Sequence, residues 1–328
     1  MAYSAGDTIL DDEYNILATG NAAGSGDNGT ANLNTLWGTG TGDYGYGETG
    51  SVISAVSAGG TITATQWETL VGRMETIAAH QNSSVTAVDT ITAGDTIAAL
   101  ADFQTDVNTI WANRLNAAAS GSAIGSTSSG TNTWTGEQNT TMTLTFASEN
   151  AARYYFNAGG LVTFTFSRTG GTTNDKNTEW SDLCTNMGTI TFSGSNSHSV
   201  AGTAYTGTTQ TGGYAGGAGS AKSTIDYHAL TASYQQLIIK YADTSPYTGN
   251  YIKLEALKSG AVVTFKVRFV DDAADTGNPT HVLSGTNPQS LDNVDGTLTV
   301  TVSAVQPDDT YLTSAAWGTP SWATTDTL

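Results

Sequence analysis

The stretch VVTFKVRFV at positions 262–270 carries an apolar side chain at every second position from Val263 to Phe269. Such alternation predicts a β-strand with one buried face, because successive side chains of a strand point to opposite faces. Lys266 and Arg268 then belong to the polar face of the same strand. This strand indicates that the C-terminal part of the chain is built from antiparallel sheet.

The same period of two recurs on both sides of this stretch. It predicts further strands around positions 142–146, 162–166, 234–241, 251–257 and 298–302. Two helices interrupt these strands. Ser148 caps the first, which ends at Gly159 or Gly160, and the second carries Trp180 to Met187 and ends at Gly188. We therefore predict an α+β fold that is mainly β, with an antiparallel, sandwich-like domain and two helices packed on it.

Three segments in the first third of the chain begin alike. They are SAGDTI at 4–9, SAGGTI at 57–62 and TAGDTI at 92–97, and a recurring short unit is typical of stacked modules. After the second, Thr63 and Gln66 match a capping box and an apolar stripe follows, which predicts a helix over 64–80. Similar stripes predict a helix over 96–116 and a shorter one over 10–18.

These patterns divide the chain into four parts. Residues 1–116 are an anchoring and oligomerisation region of helical modules, and 117–132 are a Ser/Gly/Ala-rich linker without apolar period. Residues 133–306 form the β-rich domain, within which 201–221 are a mobile loop, and 307–328 form an extended tail. Apolar side chains on the N-terminal helices predict a surface that binds a partner. They are Tyr14, Leu17, Trp67, Leu70, Met74, Ile110 and Trp111.

Composition and charge exclude several partners. The 328 residues include 11 Lys+Arg against 29 Asp+Glu, which gives a formal net charge of −18. Nucleic acids and anionic membrane surfaces need clustered basic side chains, so we expect neither as a partner. A bilayer-spanning helix would need about 20 consecutive apolar residues, and no such run occurs in the sequence.

The search for catalytic chemistry yields no catalytic residue. The four histidines lack metal-ligand spacing, and a Gly-x-Ser-x-Gly elbow is missing. His80 is expected as a cation at a helix C-terminus, and His198 in a solvated loop. Cys184 lies on an apolar helix face, which favours a buried structural thiol over a nucleophile. We therefore expect no enzyme and no cofactor.

Two acidic clusters match Ca²⁺ ligands in type. One contains Asp271, Asp272 and Asp275, and the other contains Asp292 and Asp295. Asp and Asn before Gly also build tight turns, and the second cluster lacks the distal Glu of an EF-hand loop. We favour turns and expect no metal.

Several segments resemble virion structural proteins of tailed bacteriophages, notably those of marine and cyanobacterial phages, which are often tail-fibre-like. The carriers are the Ala-Gly-Asp-Thr-Ile openings, Gln-Trp-x-x-Leu at 66–70, and segments 148–160, 167–171, 180–189, 245–251 and 295–300. The resemblance implies a structural component of the virion, a fibre or appendage subunit of the tail, neck or baseplate. Such a protein is assembled in the host cytoplasm and exposed on the released particle.

The resemblance also implies partners. We expect a homo-oligomer, a trimer in the fibre case, that binds other virion proteins and attaches to a host-surface glycan or protein. A head-decoration protein and a glycan-binding recognition module remain alternatives. Tyr214, Trp317 and Trp322 are candidates for stacking on sugars, although packing in an oligomer interface would also use them.

Overall fold

The computed structural model describes residues 11–20, 32–50, 52–86, 100–272, 294–326 and 328. Within them the chain forms six helices and thirteen strands. The helices are α1 Asp11–Thr19, α2 Leu33–Trp37, α3 Ala64–His80, α4 Leu100–Ala112, α5 Glu149–Asn157 and α6 Asp175–Met187. The strands are β1 Ser120–Gly130, β2 Gly136–Thr145, β3 Leu161–Thr169, β4 Thr189–Phe192, β5 His198–Val200, β6 Thr203–Tyr205, β7 Thr208–Thr211, β8 Ala221–Lys222, β9 Gln235–Tyr241, β10 Tyr251–Ser259, β11 Val262–Asp271, β12 Thr297–Pro307 and β13 Ser321–Thr325.

Two antiparallel sheets dominate the architecture. One has five strands in the order β1-β12-β3-β4-β7, and the other has six in the order β13-β2-β11-β10-β9-β8. A separate hairpin pairs β5 with β6. The fold is therefore α+β and mainly β, as the alternating patterns predict.

Aromatic side chains of the two sheets meet in the core. The Phe265 ring of β11 lies 5.0 Å from the Phe164 ring of β3 and 5.5 Å from the Phe192 ring of β4. Farther along the same strands, the Phe166 and Phe269 rings are 6.5 Å apart. The alternation in β11 thus places its phenylalanines against the five-stranded sheet, where burial of aromatic area stabilises the fold.

The capping and periodicity patterns locate three helices well. Helix α3 spans the predicted residues, and its capping box is complete: Gln66 N donates to Thr63 Oγ1, and Thr63 N donates to Gln66 Oε1. Ser148 caps α5, and Gly188 with φ 61° ends α6. Helix α4 ends at Ala112, earlier than the predicted end at 116, because residues after it turn to pair with β5.

The apolar residues predicted to bind a partner are packed inside the chain. Six of the seven are at most 1% exposed: Tyr14, Leu17, Trp67, Leu70, Met74 and Ile110. The seventh, Trp111, is half-buried, with its ring 5.2 Å from that of Tyr44. The prediction of an exposed anchoring interface at these residues is wrong, because α1 to α4 bury their apolar stripes against one another and the sheets.

The predicted linker is also wrong. Residues 120–130 form β1, which pairs with β12 from Ala123 opposite Val305 to Gly130 opposite Leu298. A strand of small polar residues at a sheet edge is held by backbone hydrogen bonds and needs no apolar period. The predicted mobile loop 201–221 likewise contains two short strands, β6 and β7, because backbone hydrogen bonds pair them with β5 and β4.

Two module openings, 4–9 and 92–97, lie outside the described residues. In the second opening, Gly60 N donates to Ser57 O in a tight turn before α3. No helix in the described part of the chain is long and apolar enough to cross a membrane.

Candidate functional site

The N-terminal helices meet the sheets at a polar junction. We define this junction as loop 38–47 and segment 113–118 on the helical side, and helix α5 with residues 158–159 and strand β5 on the sheet side. Its segments are joined mainly by hydrogen bonds from side chains to backbone carbonyls. The junction therefore concentrates the polar side chains from which a site could be built.

Arg153 of α5 holds the loop of the junction. Its guanidinium donates to the carbonyl oxygens of Thr39 at 2.5 Å, Tyr44 at 2.7 Å and Gly40 at 3.3 Å. Asn157, one turn later on the same helix face, donates to Gly45 O at 3.1 Å. Two side chains spaced by four residues thus hold a glycine-rich loop by its backbone.

Segment 113–118 pairs with β5. Ala117 N donates to Ser199 O at 2.7 Å, and Ala201 N donates to Ala117 O at 2.7 Å. Gly159 lies against this pair with φ 104°, and a Cβ built there would lie 2.4 Å from Ala117 Cβ. Only glycine fits this close approach at positive φ.

Three histidines surround the junction. His80 is fully buried and its Nε2 lies 3.1 Å from Ala158 O, while His228 Nε2 lies 2.9 Å from Asn157 Oδ1. His198 is 3% exposed and lies beside the Leu115 carbonyl. Burial lowers the pKa of each ring to about 4, so all three are neutral at pH 7. The expectations of a cationic His80 and a solvated His198 are therefore wrong.

A polar cleft of about 510 Å³ opens at the junction. Its wall includes Asp43, Glu149, Arg153, Asp226, His228 and Lys258. Lys258 Nζ donates to Tyr227 O at 3.0 Å and lies 4.3 Å from the centre of the Tyr227 ring, and burial lowers its pKa. Burial raises the pKa of Asp226, although Ala229 N and Asn196 N donate to its carboxylate.

This wall contains both donors and acceptors, and much of it also serves the fold. Asp43 pairs with Arg114 at 2.5 Å, and the Asp226 carboxylate bridges two loops. Lys258 has further N–H groups beyond the one given to Tyr227, and Glu149 is exposed at the rim. The cleft suits a polar ligand with little net charge.

The three aromatic residues predicted to stack on sugars differ in exposure. Tyr214 is 64% exposed, as stacking requires. Trp322 is half-buried on β13 and donates its Nε1–H to Ile124 O. Trp317 is 2% exposed, so its proposed role in stacking is wrong, because the ring belongs to the core.

Two of the candidate calcium ligands pair with cations of the protein itself. Asp271 pairs with Lys176 in the interior at 2.5 Å. Asp295 accepts from Thr172 Oγ1 at 2.6 Å and Arg168 Nη2 at 3.2 Å, and the Thr172 hydrogen bond is the main cause of its lowered pKa. Asp272 is exposed, and Asp275 and Asp292 lie outside the described residues.

One acidic group appears that the sequence patterns do not predict. Carboxylate oxygens of Glu179, Asp182 and Asp243 lie within 4.8 Å of one another. Glu179 Oε1 accepts from Asp243 N at 3.2 Å and Thr244 N at 3.4 Å, so this carboxylate holds the loop after β9. Chain spacing could not reveal a group whose members come from α6 and a distant loop.

Cys184 is buried, and burial raises the pKa of its thiol to about 12. This agrees with the predicted structural thiol, since a reactive cysteine needs a stabilised thiolate. Searches against protein-family models, curated proteins and solved structures each returned no match.

Proposed function

We propose that this chain is a structural subunit of a tailed-phage virion, a fibre or appendage subunit of the tail or neck. The proposal rests on the sequence resemblance described above and on how the chain uses its charged side chains. In this proposal the protein acts by its shape and surface, not by catalysis.

The distribution of cations is the observation that carries the proposal. All 11 lysines and arginines lie within the described residues, and Lys222 alone is exposed. Arg73 lies 3.9 Å from the centre of the Trp37 ring, and Lys240 Nζ donates to the Tyr214 and Ala215 carbonyls. Ten aspartates and glutamates of the described residues are exposed. The cations thus serve the fold and leave an anionic surface, which suits a durable scaffold.

The finer architecture in this proposal is a β-sandwich with closed edges. Trp322 Nε1 of β13 donates to Ile124 O of β1, which joins the two sheets along one side. On the other side Lys222 Nζ of β8 donates to Thr208 O of β7. Bridged edges discourage strand-to-strand aggregation, as a particle component at high local concentration requires.

The proposed partners are further copies of this chain and other virion proteins, with a trimer as the expected oligomer. The apolar helix stripes are buried within the chain, so they would not form the contacts with these partners. The expected location is the released particle.

Light scattering and negative-stain imaging of the purified chain test this proposal. An elongated particle with three times the chain mass of 33.8 kDa is expected. A compact monomer at all concentrations tested would contradict a self-assembling fibre subunit. Resistance of the trimer to dissociation in SDS would support the durable-scaffold role.

Recognition of a host glycan is a second candidate, favoured by the polar cleft at the junction. The cleft is lined by both hydrogen-bond donors and acceptors, which suits a neutral, polyhydroxylated ligand. Glycan-array binding should weaken at least tenfold in Lys258→Met and persist in Lys266→Met, a change on the polar face of β11. Equal binding by both variants, or no binding by the wild type, would remove the cleft from consideration.

A further inference from the structure

Three of the four histidines of the chain converge on one place, the junction defined above. His80 ends α3, His198 begins β5 and His228 lies in the loop before β9, so more than 100 residues separate the first from the others. No histidine of the described residues lies in either large sheet. The three histidines therefore lie together where the N-terminal helices contact the sheets.

Only one ring nitrogen of His80 has a hydrogen-bond acceptor. Its Nε2 faces the Ala158 carbonyl, whereas its Nδ1 is buried without a hydrogen-bond partner among the described residues. The Tyr46 ring lies 5.0 Å from the His80 ring. Asp308 is the carboxylate whose charge favours protonation of His80. A second proton would therefore place a charge in the interior without an acceptor.

His198 is enclosed by neutral groups. The Tyr205 ring lies 6.1 Å away, the nearby Leu115 carbonyl favours the charged form, and neither ring nitrogen of His198 has a hydrogen-bond partner among the described residues. No carboxylate of the described residues acts on this ring. Protonation would charge β5 beside segment 113–118, where Ala117 pairs with it.

His228 is linked to loop 38–47 through Asn157. Its Nε2 contacts Asn157 Oδ1, and the Asn157 amide donates to the loop at Gly45. Lys258, Arg153 and Arg114 all oppose a charge on this ring, and Asp43 favours it. Asp226, two residues away, is a further titratable group of the cleft. A proton on His228 would thus add a cation among three others.

We propose that mild acid opens this junction, releasing loop 38–47 and segment 113–118 from α5 and β5 while the two large sheets stay folded. Each large sheet is held by its own ladder of backbone hydrogen bonds, and none of the three histidines belongs to a strand of either sheet. Such an opening would let the protein respond to an acidic compartment or surface. It is independent of whether the chain is a virion subunit.

Hydrogen exchange of the full chain between pH 7.5 and 4, corrected with an unstructured peptide, tests the proposal. The Ala117 amide donates to Ser199 O and the Ala118 amide donates to His80 O. Protection of both amides should fall at least tenfold between pH 6.5 and 4, whereas amides of β10 to β12 stay protected. Cys184 should remain unreactive to 4,4′-dithiodipyridine over the same range, since it reports the sheet side. Return to pH 7.5 should restore protection.

Variants separate the histidines from the carboxylates. His80→Gln/His198→Gln/His228→Gln keeps amide donors at these sites and should hold the junction closed at pH 4, whereas Asp226→Asn should open like the wild type. Should the triple variant fail to fold at pH 7.5, His228→Gln alone should shift the opening midpoint to lower pH. A junction that stays closed in the wild type, opens equally in the histidine variants, or opens only together with Cys184 would overturn the proposal.

Discussion

Lys176 Nζ lies 2.5 Å from Asp271 Oδ2, and both side chains are withdrawn from solvent, at 2% and 0% exposure. The pair joins α6 to the end of β11, so it fixes a helix on the six-stranded sheet. Removing one partner of a buried ion pair leaves the other charge uncompensated, which typically costs 3–5 kcal/mol. The Asp271 carboxylate, a candidate calcium ligand by sequence, is thus engaged by a cation of the protein itself.

We expect Lys176→Met to lower the free energy of unfolding by about 3–5 kcal/mol, because the buried Asp271 carboxylate would lose the ammonium group that now compensates its charge. Lys266→Met, on the polar face of β11, removes a lysine without an ion pair among the described residues and should change it by about 0.5 kcal/mol or less. Urea unfolding followed by circular dichroism measures both. Similar losses in the two variants would mean that the interior pair contributes no more than a lysine on the polar face of a strand.

The stability of the whole chain should fall in acid. For His80 the folded pKa of about 4 lies below the unfolded value near 6.5, so the unfolded state takes up the proton first. The contribution is therefore complete above pH 6.5 and is lost as the pH falls towards 4, by up to about 3 kcal/mol for one fully buried ring. Urea midpoints at pH 7.5, 5.5 and 4 should show a smaller decline in His80→Gln than in the wild type.

Trypsin should cut the native chain at Lys222 before any other site. This lysine alone among the 11 basic residues is exposed, whereas Arg114 and Arg153 are engaged at the junction. Mass spectrometry of a brief digest at pH 7.5 should show one cut after Lys222, and the chain unfolded in urea should be cut throughout. Early cleavage after Arg114 or Arg153 would contradict a closed junction.

Much of the fold could be predicted from local patterns, because they report local physics. Alternation locates the central strands such as β11, and Thr63 with Gln66 locates the start of α3. Edge strands such as β1 could not be predicted in this way, because they lack alternating apolar residues and are held by backbone hydrogen bonds to a neighbouring strand. The apolar stripe around Trp67 indicates burial but cannot tell an intrachain partner from another subunit.

The candidate site could not be predicted in the same way. Arg153 and Asn157 reveal their role only once loop 38–47 is seen beside α5, and His80 becomes neutral because the folded chain buries its ring, which lowers its pKa. The position of His80 at a helix C-terminus favours the charged imidazolium, because the helix dipole stabilises a cation there by up to about 1 kcal/mol. Burial of the ring disfavours the charged form by more than this amount.

Two glycines offer a matched test of close packing at the junction. Gly159→Ala should destabilise the fold by about 1–3 kcal/mol, because φ is 104° there and the new Cβ would meet Ala117 Cβ at 2.4 Å. Gly72→Ala, on the exposed face of α3 with no atom within 4 Å of the new Cβ, should stabilise it by about 0.5–1 kcal/mol. Thermal and urea unfolding measure both changes. A neutral Gly159→Ala would show that segment 113–118 is not held against α5, whereas opposite signs for the two variants would support the close contact at the junction.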